Sequence, residues 1–141
     1  MKEILCSGAI FFAKDTKRML FLHRKNGNKS NQWGIVGGKV EQNESVWNGL
    51  KREILEEIGH TPEIQKTIPL ETFVSNDSKF SFHTYLCIVD NEFIPTLNNE
   101  SAGYAWVDIG QWPKPLHFGA KNTLARNKGV NKLHTILKLN S

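Results

Sequence analysis

The sequence predicts a mixed β-sheet held between helices, an α+β or α/β arrangement between which pattern alone does not choose. Three observations carry this. Short apolar runs lie on both sides of one segment with strong helical periodicity, that segment stops at a glycine, and a second helical stretch follows a proline break near the C-terminus. The 141 residues are material for one domain spanning 1–141. A chain of this size buries about 70% of its unfolded surface, enough for a core without metal or disulfide staples.

The elements follow in order. Cys6–Phe12 and Met19–Leu22 read as strands joined by a polar turn over Ala13–Arg18. Arg24–Gln32 is a polar loop with Asn26-Gly27 as its turn signal. Gly34–Val40 mixes three glycines with apolar residues, so backbone approaches a neighbour closely there. Over Glu44–Ile58, Val46, Leu50, Ile54 and Ile58 recur at four-residue spacing, and Gly59 supplies the stop of a helix. Gly49 inside it costs about 1 kcal/mol against Ala, so packing must carry that turn. Ile64–Val74 and Lys79–Val89 read as strands around Ser75–Ser78, and Tyr104–Val107 as a short strand. Trp112-Pro113-Lys114-Pro115 precedes a helical region over Gly119–Leu139, with an interruption expected near Gly129.

Composition narrows the class of protein. Hydrophobic residues make up 39% and charged residues 23%, which excludes a disordered chain. No apolar run reaches membrane-spanning length and no leader pattern stands at the N-terminus, so a soluble, cytoplasmic protein without membrane partners is expected. The two cysteines, Cys6 and Cys87, sit in apolar runs and form no disulfide framework. His83 stands four residues before Cys87 and raises a Cys–His nucleophile, against which a small core cysteine is the better reading. The net charge of +4 is uneven: residues 109–141 hold six basic and no acidic side chains. Such a tail either steers anions or is a solvated helix face.

Five glutamates fall between residues 41 and 57, and Glu53, Glu56 and Glu57 stand at i, i+3 and i+4. At about 100° per residue these three share one arc of the helix. Like charges at that spacing repel, and they crowd the C-terminal end, where the helix dipole disfavours anions. Glu53 and Glu57 also border the apolar stripe instead of opposing it, unlike a solvated acidic face. Several carboxylates at the edge of a core suit a hard divalent cation, Mg²⁺ or Mn²⁺. Such an ion is commonly shared with phosphate groups of a substrate. Arg52 reaches Glu56 at i+4, or back toward Glu44, and orients the acids.

The stretch GKVEQNESVWNGLKREILEEIGH, residues 38–60, resembles the Nudix box, Gly-x5-Glu-x7-Arg-Glu-U-x-Glu-Glu-x-Gly-U with U a bulky aliphatic residue. Gly38, Glu44, Arg52, Glu53, Ile54, Glu56, Glu57 and Gly59 match in register, and His60 departs from the final U. The preceding Trp33–Glu41 is similar to the family's lead-in, with Val36 where a proline is usual. The resemblance implies an α+β fold, an α/β/α sandwich with a mixed sheet between helices. It implies a pyrophosphohydrolase of the MutT-like kind, cleaving a nucleoside diphosphate linked to another moiety by attack of water on phosphorus. Glu53, Glu56 and Glu57 are then the metal ligands for Mg²⁺ or Mn²⁺, with Glu53 the base toward water, the Gly37 carbonyl a further ligand and Glu100 an extra ligand or base. Glu44 and Arg52 are orienting residues.

Around this set, Arg24, Lys39 and Gly38 are expected to meet substrate phosphates, and Trp33, Phe80, Phe82, Trp106 and Phe118 are either base-stacking or core aromatics. The nucleotide-type substrate stays open among nucleoside triphosphates, nucleotide sugars, dinucleotides and dinucleoside polyphosphates. The alternatives are the 5′ end of RNA as substrate, or a catalytically silent nucleotide- or RNA-binding module. Competing motifs fail: Trp33 and Val40 break a P-loop around Lys39, and no HExxH, paired-cysteine zinc spacing or GxSxG elbow occurs.

Overall fold

The computed structural model describes residues 3–25, 31–124 and 127–140. Along the chain run β1 (Ile4–Ala13), β2 (Arg18–Arg24), β3 (Trp33–Gly34), β4 (Val36–Lys39), α1 (Val46–Ile58), β5 (Lys66–Val74), β6 (Phe80–Val89), β7 (Ser101–Asp108), α2 (Phe118–Leu124) and α3 (Asn127–Leu139). The strands form one sheet in the order β3-β2-β1-β6-β5, with β4 on β1 and β7 on β2. β1 and β6 are parallel and the other pairs antiparallel, so the sheet is mixed, as expected.

Alternation along β1 sorts the core into two layers. Ala9, Phe11 and Ala13 face α1 and pack with Leu50, Ile54, Ile58 and Cys87. Ile10 and Phe12 face the other way, with Phe21, Leu86, Leu124 and Leu133 under α2 and α3. One helix on one face and two on the other make the α/β/α sandwich. Among the described residues no helix is long and apolar enough to cross a membrane.

What positions the site is a split in the sheet. β1 and β2 pair only at Phe12↔Met19 and Ala13↔Arg18 and then diverge. β4 takes the freed edge of β1 over Cys6–Ala9, while β3 pairs with β2 at Leu22 and His23. The glycine-rich segment expected over Gly34–Val40 therefore folds as two short strands on different partners. Its close approach is real: Gly37 faces Gly8 across the ladder, and a Cβ on Gly37 would collide with the carbonyl oxygen of Ser7.

Helix α1 starts one residue after Ser45, whose extended backbone (φ −72°, ψ 161°) and Oγ, accepting the Asn48 N–H at 3.1 Å, make the N-cap. The expected start at Glu44 is thus two residues early. Gly59 closes the helix at φ 80°, its N–H donating to the Leu55 carbonyl at 3.0 Å. Gly49 has its packing reason: a Cβ there would sit 3.0 Å from a Glu44 carboxylate oxygen and 3.1 Å from Val40.

Three further expectations are corrected. The turn after β1 is tighter than Ala13–Arg18, because both end residues are paired strand. β7 runs over Ser101–Asp108, longer than Tyr104–Val107; it pairs with β2 and leaves alternate side chains in solvent, so its apolar signal is weak. The C-terminal region is two helices, α2 ending at Leu124 and α3 starting at Asn127, and Gly129, near which an interruption was expected, is inside α3; residues 125–126 and the Asn26-Gly27 turn lie outside the described residues. Gly129 instead lets α3 close on α2, since a Cβ there would overlap the Thr123 carbonyl oxygen. Gly129→Ala is expected to force the helices apart and lower stability by about 1–3 kcal/mol, read as a fall in thermal midpoint.

Candidate active site

Glu53, Glu56 and Glu57 leave α1 on the side turned toward β4, one turn from the buried Leu50, Ile54 and Ile58. They meet Gly37, Gly38, Lys39, Arg24 and Glu100 around a cavity of about 390 Å³ in the split of the sheet. Eight of the ten residues singled out from the sequence are brought together there. Glu44 and Arg52 stand behind the wall and not on it.

Their place explains their pattern. Arg52 lays Nε on Glu44 at 2.8 Å and Nη2 on its other oxygen at 3.0 Å, a two-point grip. Its Nη1 reaches Glu53 at 2.9 Å and Glu56 at 3.4 Å, and Nη2 also donates to the Lys39 carbonyl at 3.0 Å. The reach back to Glu44 and the i+4 contact expected from the sequence therefore occur together. Glu44 in turn accepts the Glu41 N–H at 2.8 Å, and with the Arg52 grip this holds its carboxyl below the ordinary range. Arg52→Lys keeps the charge but loses the fork. It is expected to lower stability by about 1–3 kcal/mol and to reduce turnover as Glu53 loses its tether, checked by thermal denaturation and kcat.

The three acids differ in environment. The Glu56 side chain is 54% exposed and that of Glu53 only 17%. Desolvation raises Glu53 above the usual carboxylate range, against the pull of Arg52. Glu57, set against the sheet and accepting the Gly37 N–H at 3.2 Å, is pushed up to about 8, chiefly by desolvation. So only Glu56 fits a solvated acidic face. Gly38 also provides space: a Cβ on it would lie 2.7–2.9 Å from the Glu53 carboxylate atoms.

The donor set fits a hard divalent cation. The donor atoms these acids offer are all oxygens, one carboxylate lies in a glycine-made cradle, and another is desolvated with its anionic form disfavoured. Among the described residues no three acids already converge on a common point as a finished cage, and Glu53 is held by Arg52.

The opposite wall is aromatic. Phe80, Phe82 and Phe118 line the cavity with His117, Ile35 and Leu22. Phe118 packs on Phe73 and Phe80 at ring distances of 5.6 and 6.0 Å, yet stays 45% exposed. The other two candidate aromatics do not line it. Trp106 donates its Nε1–H to the Phe93 carbonyl at 3.1 Å on the α1 side, and Trp33 stacks on His23 at 4.4 Å. The Cys–His reading also falls. Cys87 is fully buried with its thiol pushed up to about 12 by desolvation, and His83 meets Thr72 at 3.2 Å.

Three residues at or beside the site were given no role there by the sequence, although Leu116-His117 after the proline turn resembles a family feature. Asn98 ties the Glu100 loop to α1, its amide donating to the Glu56 carbonyl at 3.0 Å and its own oxygen accepting the Glu100 N–H at 2.9 Å. His117 reaches the cavity because its N–H donates to the Trp33 carbonyl at 2.7 Å, pinning the segment after the prolines to β3. Ser7, directly opposite Gly38 across the β1–β4 ladder, has a fully buried hydroxyl with no partner among the described residues. Only the apolar run around Ser7 was a local signal; the other two contacts are long-range.

Comparison with known proteins agrees with this architecture. A nucleoside triphosphatase NudI from Escherichia fergusonii is 32% identical over 108 residues, covering 67% of this chain and 74% of the relative. A dihydroneopterin triphosphate diphosphatase from Haemophilus influenzae is 26% identical, covering 92% and 82%. The NUDIX domain of Shewanella oneidensis NrtR, solved with ADP ribose, superposes with a TM-score of 0.70 over 97% of this chain and 90% of that one, at 16% identity, a likeness of fold. The model of the NUDIX domain matches residues 5–126; with Glu53, Glu56 and Glu57 of the box folded onto one cavity wall, the chain belongs to the Nudix hydrolase family.

Proposed function

We propose that this Nudix hydrolase is a pyrophosphohydrolase that uses Mg²⁺ or Mn²⁺ and acts on a small nucleotide-type substrate. The observation that carries the reading is the make-up of one cavity: four carboxylates, two cations and an aromatic wall. Glu53, Glu56 and Glu57 would hold the ion, with Glu100 and the Gly37 carbonyl beside them. Bound there, a divalent ion supplies charge neutralisation to the phosphoryl oxygens. Arg24 and Lys39 grip the phosphates; the Arg24 Nε is buried and has no hydrogen-bond partner among the described residues. Glu53 takes the proton of the attacking water, a role suited to a carboxylate whose proton affinity desolvation raises. The base of the nucleotide lies on Phe80, Phe82 and Phe118.

Size favours a single nucleotide over a long polymer. The cavity of about 390 Å³ is at the small end of ligand sites, and among the described residues no basic residue of the C-terminal region lines it. The test is hydrolysis of a panel of nucleoside triphosphates, a nucleotide sugar, ADP-ribose, a dinucleoside polyphosphate and 5′-triphosphate RNA with Mg²⁺ or Mn²⁺ in ¹⁸O-water. One class of small nucleotide is expected to turn over with label on phosphorus; no turnover of any member overturns the proposal, and RNA as sole substrate overturns its substrate class. Independently of activity, either cation should raise the thermal midpoint, by about 2.7 kcal/mol of stability at a hundredfold excess over Kd.

A further inference from the structure

A second cavity, of about 450 Å³, opens on the α2/α3 side at the far end of the same strands. Phe12 and Ile88 lie six residues along β1 and β6 from Cys6 and Phe82 of the glutamate cavity, so the two openings are roughly 20 Å apart along the sheet. Its floor is apolar: Phe12 and Ile88, nearly fully buried, with Ile109 and Leu137. Its rim is basic. Lys14 and Lys17 come from the turn between β1 and β2, and His134 and Lys138 from α3.

These basic groups come from two distant parts of the sequence and converge on one opening, and among the described residues no acidic side chain lines it with them. Three acids of the neighbourhood have hydrogen-bond partners of their own, and a fourth, Asp108, stands beside Arg18 across the β2–β7 ladder. Asp15 accepts the Thr16 N–H at 2.7 Å, Glu92 holds Arg18 through contacts of 2.6 and 2.9 Å, and Asp90 accepts the Gln65 amide at 3.3 Å. The opening thus differs from the glutamate cavity, whose charged lining is four acids against two cations.

We propose that this second cavity binds a small, soluble amphipathic anion, its apolar body on Phe12, Ile88, Ile109 and Leu137 and its single carboxylate, sulfonate or phosphate at the lysine rim. A neutral apolar molecule gains nothing from the lysines, and a polyphosphate gains nothing from the floor; the two surfaces together select a ligand with one of each. The volume suits a body of drug-like size. The site also gives a place to part of the basic excess of the C-terminal region, through Lys138, and it stands independently of the hydrolase reading.

Titration of the full chain with decanoate, decanol and decyltrimethylammonium below their micellar concentrations, followed by ¹H–¹⁵N NMR, tests this. Decanoate is expected to bind saturably with shifts at Lys14, Lys17, Ile109, His134 and Leu137, and more weakly as salt is raised. Lys14→Glu/Lys17→Glu should weaken decanoate about tenfold or more, equivalent to about 1.4 kcal/mol, while leaving decanol alike. Ile109→Trp, which fills the floor, should weaken both, and hydrolysis should be unchanged in each variant. Equal affinity for the three head groups, shifts at the glutamate cavity, undiminished binding by the charge-reversed variant, or no saturable binding at millimolar decanoate would each overturn the proposal. So would sedimentation with phosphatidylglycerol vesicles in the absence of a decanoate site, or a dimer in ultracentrifugation that covers the floor.

Discussion

Glu53→Gln is expected to lower kcat by about 10²–10⁴-fold while the fold stands as firmly as before. The substitution keeps the volume and leaves an amide oxygen to accept from Arg52, which now holds Glu53 at 2.9 Å. What it removes is the negative charge and the capacity to take a proton. In the metal-free chain that charge is a burden: desolvation raises Glu53, and Glu56 and Glu100 raise it further. Glu57→Gln tests the same balance through pH. Its carboxyl sits at about 8 in the folded chain against 4.5 ordinarily, so the folded state holds a proton that the unfolded chain has released between those values. The native state thus loses stability at this position as pH rises from about 4.5 toward 8. In EDTA, the thermal midpoint of Glu57→Gln should gain on that of the wild type across this window and converge with it at lower pH. Unchanged turnover of Glu53→Gln in Mg²⁺ would remove it from the chemistry.

The legible part of this protein was the part whose signals are local. Val46, Leu50, Ile54 and Ile58 gave α1 because a helix buries every fourth residue, and the spacing of Glu53, Glu56 and Glu57 put them beside that stripe. The reach of Arg52 followed from the same geometry. Three features were beyond a local reading. The split of β1 from β2 is a matter of pairing partners, and the short strands β3 and β4 carry too few residues for a period to show. Asn98 and His117 are placed by hydrogen bonds to segments 42 and 84 residues away, which no spacing encodes. Gly129 looked like a helix break and proved to be a contact, because a missing Cβ reads the same in sequence whether it frees the backbone or makes room for a neighbour.

That ambiguity sets up opposite outcomes at two adjacent glycines. Gly38→Ala is expected to keep the fold and lose turnover by about a hundredfold; Gly37→Ala is expected to lose the fold. A Cβ on Gly38 would meet only the end of a side chain, the Glu53 carboxylate at 2.7–2.9 Å, and that group can swing away by rotation about its own bonds. Moving it is sterically cheap and chemically expensive, because displacing a reacting group by about 1 Å can slow a reaction a hundredfold. Arg52 resists the displacement through its 2.9 Å contact, so some of the strain reaches the Arg52–Glu44 pair and the thermal midpoint should fall slightly. A Cβ on Gly37 would instead meet the backbone carbonyl of Ser7, at a residue with φ of 154°, in the ladder that joins β4 to β1. Neither strand can yield without opening the sheet under α1, a loss expected at about 3 kcal/mol or more. The decisive arrangement is the cycle of Gly38→Ala with Glu53→Gln. If Gly38 acts by making room for that carboxylate, Gly38→Ala adds little to a chain that already carries Glu53→Gln, and the two effects on kcat are far from additive. Full additivity would mean that Gly38 serves the reaction by another route, through the phosphate contact first expected of it.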